Sequence, residues 1–335
     1  MINFYITTPI YYVNDKPHIG HAYTTLACDI LARFKRLDGY EVKFLTGTDE
    51  HGQKVEKAAF LNNESPIIFA DKVSENFRDL TQALNFSNDD FIRTTEERHK
   101  IACEKLWNIL LKNKNIYLGK YAGWYAVKDE AYYSDSEVKN GLGPTGAEVQ
   151  WVEEPSYFFN LSKWEKPLLD YFKNNPNFIA PKSRLNEVKS FVESGLRDLS
   201  ISRTSFKWGV KVPNDKNHVM YVWLDALTNY LTAVGFGSDE DTYNKLWPAD
   251  IHIVGKDILR FHAVYWPAFL MAADLPLPKR VFAHGWWTNE GKKISKSDGN
   301  VIDPIEIRDQ FGLDQMRYFL IREVPFGNDG DFSKD

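Results

Sequence analysis

Cysteine is scarce in this chain of 335 residues, in which only Cys28 and Cys103 occur. Two thiols are too few for a disulfide framework or for a four-thiolate zinc site. We therefore predict that both are small, buried hydrophobic side chains in a protein of a reducing compartment.

Long apolar runs are also lacking. The longest, residues 263–273, contains Pro267 and is about half as long as the roughly 20 residues that a membrane-spanning helix needs. The first residues have neither a basic segment followed by a cleavage site nor the composition of a transit peptide. We expect a cytoplasmic protein that does not cross a membrane.

An excess of positive charge is absent as well. Asp and Glu outnumber Lys and Arg by 46 to 41, for a formal net charge of −5. This balance argues against a surface that binds nucleic acid over most of its area. Any polyanion therefore has to bind at a local cluster of Lys and Arg. With 43% apolar and 26% charged residues the composition is that of a globular protein, and the length predicts two domains of about 150 residues each.

Strand and helix patterns alternate in both halves of the sequence, as in a parallel sheet covered on both faces. Residues 94–97 match a capping box that would begin a further helix through Leu111. The other predicted elements are strand 2–8, helix 20–38, strand 41–46, helices 53–61 and 66–84, strand 219–223, helix 224–234, strand 251–254, helix 257–273 and strand 280–286.

The middle of the sequence has a different character. Between about residues 114 and 218, aromatic residues alternate with turn formers, which predicts an inserted β-rich unit. We therefore predict an α/β fold in which a Rossmann-like parallel sheet is split by an inserted β-rich connective domain. The predicted domains are residues 1–115 and 219–300 for the two halves of the sheet domain, 116–218 for the insertion, and 301–335 for the start of a helical linker.

Two histidines stand at the junction of the first strand and its helix, in the sequence Pro17-His18-Ile19-Gly20-His21. Unpaired amides at a helix N-terminus attract phosphate, and imidazoles three residues apart share one face of the helix. Gly20 would let a flat ligand approach the backbone closely. Taken alone, the pattern could equally be a surface feature or half of a metal site.

A glycine-rich, polar loop follows the last predicted strand. Residues 291–300 contain Lys292, Lys293 and Lys296 among small and hydroxylated residues. Lysine acts as a mobile point charge for phosphate. In isolation, the same loop could be a solvated basic segment.

The two segments together resemble the signature pair of class I aminoacyl-tRNA synthetases, a His-x-Gly-His sequence after the first strand and a Lys-x-Ser-Lys-Ser sequence after a late one. Further segments resemble successive motifs of the methionyl-tRNA synthetase family, and the resemblance covers essentially the whole chain. These segments are residues 7–14, 47–52, 221–226, and 255–258 with 261–263.

Other class I families fit less well. The synthetases for isoleucine, valine and leucine carry a far larger insertion with a hydrolytic editing site, for which residues 116–218 have no room. The cysteine enzyme depends on a zinc ion held by Cys and His, and this sequence contains no such cluster.

The resemblance implies that Asp49 binds the α-amino group of methionine and that a pocket surrounds the thioether. Tyr12 and His262 could each present a polar hydrogen to the sulfur. Without the resemblance, Asp49 could be a turn residue and the aromatic residues could be ordinary core. The implied pocket residues are Ile10, Tyr12, Trp223, Ala226, Tyr230, Ile258 and His262.

The resemblance also implies an ATP site and a mechanism. His18, His21, Lys293 and Lys296 would be the catalytic residues, with the imidazoles on one side of the phosphates, the lysines on the other, and Mg²⁺ neutralising the pyrophosphate. The implied activity is ATP-dependent ligation of methionine to tRNA(Met) through methionyl-adenylate, with no protein nucleophile. The implied ATP-binding residues are His18, Gly20, His21, Gly255, Asp257, Lys293 and Lys296.

The sequence departs from the family in two places. Zinc-bearing members have two Cys-x-x-Cys-like pairs in the insertion, but the matching residues 126–129 and 142–146 contain no cysteine. We expect a metal-free knuckle and no structural zinc. The sequence also stops at Asp335, where the family continues into a helical bundle that recognises the anticodon. The resemblance thus implies a catalytic portion, although a naturally short paralogue would look the same.

Two alternatives belong to other functional classes. A catalytically silent homologue could act as a binding module for tRNA or another partner, but it would not need both histidines, both lysines and Asp49. A nucleotidyltransferase that makes a cofactor shares the His-x-Gly-His element, but it would need neither the methionine pocket nor the long insertion.

Overall fold

The computed structural model describes residues 2–13, 16–129, 131–133, 135–294 and 301–333. The helices in these ranges are α1 (Ile19–Leu37), α2 (Gln53–Leu61), α3 (Pro66–Ala83), α4 (Glu97–Lys112), α5 (Glu165–Asn174), α6 (Lys182–Glu193), α7 (Val222–Thr232), α8 (Glu240–Leu246), α9 (Trp266–Ala272), α10 (Pro304–Phe311) and α11 (Leu313–Arg322). None of these helices is both long and apolar enough to cross a membrane.

The strands in the same ranges are β1 (Asn3–Thr7), β2 (Tyr11–Tyr12), β3 (Glu41–Asp49), β4 (Asp90–Arg93), β5 (Ile116–Ala126), β6 (Ala131–Tyr133), β7 (Gln150–Phe159), β8 (Ile179–Ala180), β9 (Leu199–Ser200), β10 (Ser202–Arg203), β11 (Lys211–Val212), β12 (Asp215–Met220), β13 (Ile251–Gly255), β14 (Val281–His284), β15 (Trp287–Asn289), β16 (Lys292–Lys293) and β17 (Gly330–Phe332).

A parallel sheet forms the centre of the molecule. Its strand order is β2-β3-β1-β13-β14-β8, and β4 also pairs with β3. Every one of these pairings is parallel. Helices cover the sheet, so its strands are buried over much of their length, as in residues 251–254, all of which are buried. The predicted α/β fold with a Rossmann-like sheet is confirmed.

The two halves of the chain meet between β1 and β13, where Ile6 pairs with Ile251 and Thr7 with His252. The first half continues from β1 to β3 on one side, and the second half continues from β13 to β14 on the other. Open α/β sheets bind ligands at the carboxyl ends of the strands where the connections diverge in this way. The loops after these four strands therefore surround the expected ligand site.

The segment predicted as one insertion divides into two parts. Strands β5, β6, β7 and β9 form a separate antiparallel sheet, as the aromatic and turn residues predicted. In contrast, β8 pairs with β14 in the central sheet, and α5 and α6 pack into the main core. Residues 165–193 interrupt the β-rich pattern, because Leu168, Phe172, Leu185 and Val188 recur at helical spacing and are buried.

The capping box predicted at residues 94–97 is wrong. The N-cap of α4 is Glu96, and its side chain makes no capping hydrogen bond. Thr94 and Thr95 instead bond to Glu50, the residue after β3. Tertiary contacts with the end of the central sheet therefore replace the local cap.

The segment predicted as the start of a linker packs against the first helix of the sheet domain. Met316 and Leu320 of α11 and Phe332 of β17 share a buried cluster with Tyr23 and Leu26 of α1. Strand β17 also pairs with β15. Residues 301–333 therefore share a core with the sheet domain, whereas the domain boundary at residue 300 stays a prediction.

Candidate active site

A cleft of about 520 Å³ opens at the carboxyl ends of β1, β3, β13 and β14. It is lined by residues from both halves of the sheet domain. The predicted methionine-binding residues that line it are Ile10, Tyr12, Asp49, Trp223, Ala226, Tyr230, Ile258 and His262, which is the complete set. The predicted ATP-binding residues that line it are His18, Gly20, His21, Gly255 and Asp257.

The two predicted lysines are only partly described. Lys293 lies in β16, but its side chain lies outside the described residues, as does the whole of Lys296. The next residue in the chain, Ile294, lines the cleft. The role predicted for the two lysines stays a prediction.

Backbone amides hold the rings of the two signature histidines in place at the start of α1. His18 is the N-cap, and its Nδ1 accepts a hydrogen bond from the Gly20 amide at 3.0 Å. His21 Nδ1 accepts from the His18 amide, also at 3.0 Å. When Nδ1 of a neutral imidazole is an acceptor, the ring hydrogen lies on Nε2. Each histidine therefore carries one Nε2–H donor at the positive end of the helix dipole.

The structure gives a reason for glycine at position 20 that the sequence did not reveal. A Cβ atom at this position would lie 2.9 Å from Cε1 of His18. The absence of a side chain makes room for the folded-back ring of His18. The position of the His18 ring thus favours glycine at position 20, independently of any ligand in the cleft.

A clamp of hydrogen bonds holds the turn that carries Asp49. The next residue, Glu50, is buried, and its carboxylate accepts two hydrogen bonds from Arg93, at 2.7 and 3.0 Å. Thr95 donates to the same carboxylate, and Thr94 accepts from the Glu50 amide at 2.9 Å. Breaking a buried pair of this kind costs about 3–5 kcal/mol. The clamp therefore fixes the backbone next to Asp49.

Aromatic and imidazole rings form another part of the cleft lining. Trp223 stacks on Phe261 with ring centroids 3.6 Å apart. Tyr230 and His262 are joined by a 2.7 Å hydrogen bond between the phenol oxygen and Nε2, and His262 Nδ1 lies 3.0 Å from the Ile258 carbonyl oxygen. A carbonyl only accepts, so Nδ1 carries the hydrogen and Tyr230 donates to Nε2.

His262 is therefore a neutral ring whose single hydrogen is already used. Burial lowers the pKa of His262 to about 4, although the Ile258 carbonyl opposes the shift. The polar hydrogen that the sequence analysis suggested this ring could present to sulfur is donated to Ile258. The role suggested for Tyr12 stays a prediction.

The helix that carries His262 is irregular. Residues Phe261–Tyr265 form a π-helical turn directly before α9. Pro267 follows in the first turn of α9 and has no amide hydrogen to donate to an earlier carbonyl. Single π-helical turns occur frequently at functional sites, and this one lies where the pocket wall is formed.

The other end of the cleft is arranged around Asp257. Its Oδ1 accepts from the Trp286 indole at 3.0 Å. A Cβ atom at Gly255 would lie 2.5 Å from the same oxygen, so this glycine makes room for the carboxylate. The Lys256 Nζ lies 4.2 Å above the Trp286 ring and forms a 2.6 Å ion pair with Asp329. The strand end that carries Asp257 is thereby tied to the C-terminal segment.

Sequence reasoning missed several residues that line the cleft. His284 ends β14 and bonds to Thr24 at 2.8 Å, and Trp286 follows two residues later. Their position after a strand of the parallel sheet was a usable signal, because ligands bind at that edge. Asn229 precedes Tyr230 on α7, and Lys54 lies in the first turn of α2. Neither of these two belongs to a pattern that would have revealed it.

The insertion reaches the cleft through Asp129. The Asp129 carboxylate accepts hydrogen bonds from the hydroxyl groups of Tyr133, at 2.8 Å, and Thr145. The bond from Thr145 joins residues 126–129 to residues 142–146, the two stretches for which the sequence predicts a metal-free knuckle. One carboxylate and two hydroxyls do not suit zinc, which prefers thiolate and imidazole ligands.

The fold and the cleft are those of class I aminoacyl-tRNA synthetases. Within that class the chain belongs to the family described as "tRNA synthetases class I (M)", whose profile matches residues 4–149 and 143–335.

Two curated relatives are methionine–tRNA ligases. The protein of Rickettsia conorii is 66% identical over 332 residues, and that of Brucella suis is 58% identical over 337 residues. Each alignment covers 99% of this chain and 65% of the relative. The chain therefore spans somewhat less than two thirds of the length of these relatives.

Solved structures of Mycobacterium tuberculosis methionyl-tRNA synthetase have the same fold. The complex with methionyl-adenylate matches with a TM-score of 0.97 and 54% identity over 100% of this chain and 67% of that one. The apo form matches with a TM-score of 0.85 and 51% identity over 100% of this chain and 64% of that one.

Proposed function

We propose that this protein activates methionine with ATP to form methionyl-adenylate and transfers the methionyl group to tRNA(Met). One observation carries the proposal: the predicted residues for both substrates, as far as they are described, line a single cleft. The high similarity to a synthetase in complex with methionyl-adenylate supports it.

Methionine lies between Asp49 and the aromatic wall. The Asp49 carboxylate is 6% exposed and accepts from the α-ammonium group. Ile10, Tyr12, Trp223, Ala226, Tyr230, Ile258 and His262 surround the thioether. Aromatic rings suit this group, because sulfur and ring edges attract each other by about 0.3–1.5 kcal/mol.

ATP lies across the carboxyl ends of β1 and β13. The Nε2–H groups of His18 and His21 donate to the phosphates, beside the amides at the start of α1. The backbone at Gly255 contacts the adenosine, and the Asp257 carboxylate accepts from the ribose hydroxyls. Lys293 and Lys296 close over the β and γ phosphates from the other side.

The reaction needs no nucleophile from the protein. The methionine carboxylate attacks the α-phosphorus in line, the bond to the bridging oxygen breaks, and pyrophosphate leaves. The terminal ribose hydroxyl of tRNA then attacks the methionyl carbonyl and releases AMP. Positioning of the substrates and donors aimed at the developing negative charge supply the rate enhancement.

Mg²⁺ accompanies ATP and, when bound, neutralises charge on the leaving pyrophosphate. A magnesium ion bound with ATP would take oxygen ligands from the phosphates and from water, and the cleft carboxylates of Asp129 and Asp257 would be the described side chains able to add to them. The site requires no structural zinc. We place the reaction in the cytoplasm, which is consistent with two cysteines that are buried and unpaired.

ATP–pyrophosphate exchange, measured with each amino acid in turn, tests the proposal. We expect exchange with methionine and weaker exchange with norleucine, because an apolar pocket separates near-isosteres by only about 1–3 kcal/mol. Exchange with valine, isoleucine or cysteine but not with methionine would refute the substrate assignment. If no amino acid supports exchange, the proposed activity is refuted.

A further inference from the structure

A buried chain of polar side chains runs behind the cleft and is used by none of the steps above. His51 Nδ1 bonds to one carboxylate oxygen of Asp225 at 2.7 Å, and His99 Nε2 bonds to the other at 2.8 Å. His99 Nδ1 continues to the Thr232 hydroxyl at 3.1 Å. The three ionisable side chains are at most 4% exposed. Polar groups are buried together in a protein core where they form hydrogen bonds with one another.

The position of His51 and Asp225 in the chain connects this cluster to methionine recognition. His51 is two residues beyond Asp49, in the same turn after β3. Asp225 lies on α7 between Trp223 and Ala226, which both line the cleft. The 2.7 Å bond therefore joins the turn that carries the ammonium-binding carboxylate to the helix that carries the thioether pocket.

Other contacts hold each side of this bond in place. Trp208 packs edge-on against the His51 ring with centroids 5.3 Å apart and donates its indole N–H to the Glu50 carbonyl. On the far side, His99 of α4 anchors Asp225 and the end of α7 through Thr232. The bond between His51 and Asp225 therefore joins two supports that are themselves fixed.

The charge state of Asp225 agrees with this geometry. Burial by itself would raise the pKa of the carboxyl, but electrostatic attraction to the rings of His51 and His99 and the hydrogen bonds from them lower the pKa to about 2. Asp225 is therefore ionised at neutral pH. An ionised carboxylate with two N–H donors forms charge-assisted hydrogen bonds, which are roughly twice as strong as neutral ones.

A metal ion is the competing explanation for part of the cluster. In the described part of the chain, His99, Cys103 and Asp225 have potential ligand atoms within 4.8 Å of one another. Cys103 Sγ lies 3.2 Å from His99 Nε2, the same nitrogen that bonds to Asp225. Hydrogen bonds account for these positions, and only the contact to His51 reaches the cleft-forming turn.

We propose that Asp225 is a positioning residue, which through His51 fixes the distance between Asp49 and the pocket walls on α7, so that the ammonium and thioether groups of one ligand are recognised together. The inference rests on the proposed function, because it assigns those two groups to methionine. It predicts that breaking the bond costs affinity only for ligands that span both subsites.

The test compares methionine with 4-(methylthio)butanoate, which is methionine without its amino group. Dissociation constants for both are measured by equilibrium competition, and their ratio gives the preference for the ammonium. In Asp225→Asn, the amide has one acceptor oxygen in place of two, so we expect methionine to bind about tenfold more weakly. Binding of 4-(methylthio)butanoate should be unchanged, and the ratio should fall about tenfold.

Three further variants separate positioning from general damage. His51→Leu removes the donor at similar volume and should lower the ratio as Asp225→Asn does, which keeps the test decisive if Asp225→Asn does not fold. His51→Asn keeps an N–H near the position of Nδ1 and should restore the ratio. Cys103→Ala is the matched control, because its sulfur lies 4.0 Å from the same carboxylate without joining the two subsites.

Each outcome decides the proposal. A ratio that falls in Asp225→Asn and His51→Leu, and recovers in His51→Asn, supports it. An unchanged ratio, or equal weakening of both ligands, overturns it and leaves methionine activation intact. An equal fall in Cys103→Ala would favour the metal ion and also overturn it. Wild-type protein that does not bind methionine would refute this inference and the proposed function together.

Discussion

At the scale of single residues, Asp49 and His262 show how burial is used at two places in the proposed methionine site. Asp49 is almost buried at a strand end, next to a backbone that the Glu50 and Arg93 pair holds in place. His262 is buried as well, and its two ring nitrogens are engaged by Tyr230 and Ile258. The proposed roles follow from this difference: a charge that meets an ammonium, and a neutral ring that shapes an apolar wall.

Asp49→Asn should weaken methionine binding by about ten- to a hundredfold while leaving kcat within a few-fold. The reason is that a hydrogen bond to a charged group contributes about 1.5–3 kcal/mol. Steady-state exchange kinetics measure both parameters. Asp257→Asn is the matched comparison, which should raise KM for ATP and not for methionine. An unchanged methionine KM in Asp49→Asn would contradict the assignment.

The low pKa of His262 leads to a prediction about pH. Burial favours the neutral ring, so the folded pKa of about 4 lies below the unfolded value of about 6.5. Above about pH 6.5 the ring is neutral in the folded and the unfolded state, so its burial costs no stability. As the pH falls from 6.5 toward 4, the unfolded state binds a proton that the folded state does not, and the free energy of unfolding decreases.

Urea unfolding of wild type and His262→Asn between pH 8 and pH 5 measures this effect. The wild type should lose about 2 kcal/mol more of its free energy of unfolding than the variant between these two pH values. Both proteins keep the buried His252 and His284, so the contributions of these two residues to the pH dependence cancel in the comparison. Parallel pH profiles would show that His262 is not held neutral by the fold.

At the scale of elements, α11 completes the core beside α1. Leu320 is 1% exposed in the cluster that it shares with Tyr23 and Leu26. Tyr318, on the same helix, is 70% exposed. The segment after the lysine loop therefore stabilises the helix on which the signature histidines lie.

Leu320→Ala should lower the free energy of unfolding by about 2–4 kcal/mol, because it leaves a cavity in this cluster. Tyr318→Ala should change it by less than about 0.5 kcal/mol, as exposed positions do. Denaturant unfolding of the two variants compares them directly. Similar values would show that α11 is only loosely attached to the sheet domain.

The β5–β7 unit is the other element with a testable property. The hydrogen bond of Asp129 with Thr145 joins residues 126–129 to residues 142–146, where the sequence predicts a metal-free knuckle. We expect the protein to purify without stoichiometric zinc and its melting temperature to be insensitive to a chelator. Elemental analysis measures the metal content. One zinc per chain that is lost in Cys103→Ala would locate the metal at the buried cluster and not in this unit.

At the scale of the whole molecule, charge limits what the 335-residue chain can bind. Its formal net charge is −5, whereas tRNA is a polyanion whose binding depends on several phosphate contacts. Adenylate formation needs only the cleft. The two half-reactions should therefore behave differently in this chain.

We expect normal pyrophosphate exchange together with a tRNA charging rate that rises almost linearly through the micromolar range of tRNA concentration. Aminoacylation measured against tRNA(Met) concentration, beside an exchange assay on the same preparation, gives both rates. Saturable charging at low micromolar tRNA would show that the described basic residues and the Lys292–Lys293 segment suffice for binding.

The sequence by itself determined the α/β class, the alternating order of strands and helices, and part of the set of residues that line the cleft. Periodic burial and local motifs carry this information, because they depend on neighbours within one turn or one strand. His18, Gly20 and His21 form such a local motif, whereas Asp49 and Trp223 could be assigned only through the resemblance to the methionyl-tRNA synthetase family.

Only the tertiary structure decided which distant segments meet. Thr94 and Thr95 matched a helix cap and instead bond to Glu50, and β8 lies in a stretch that resembled an insertion and instead joins the central sheet. The bond of Asp225 to His51 spans 174 residues of chain. Contacts of this kind depend on how the sheet and helices pack, and no local pattern records them.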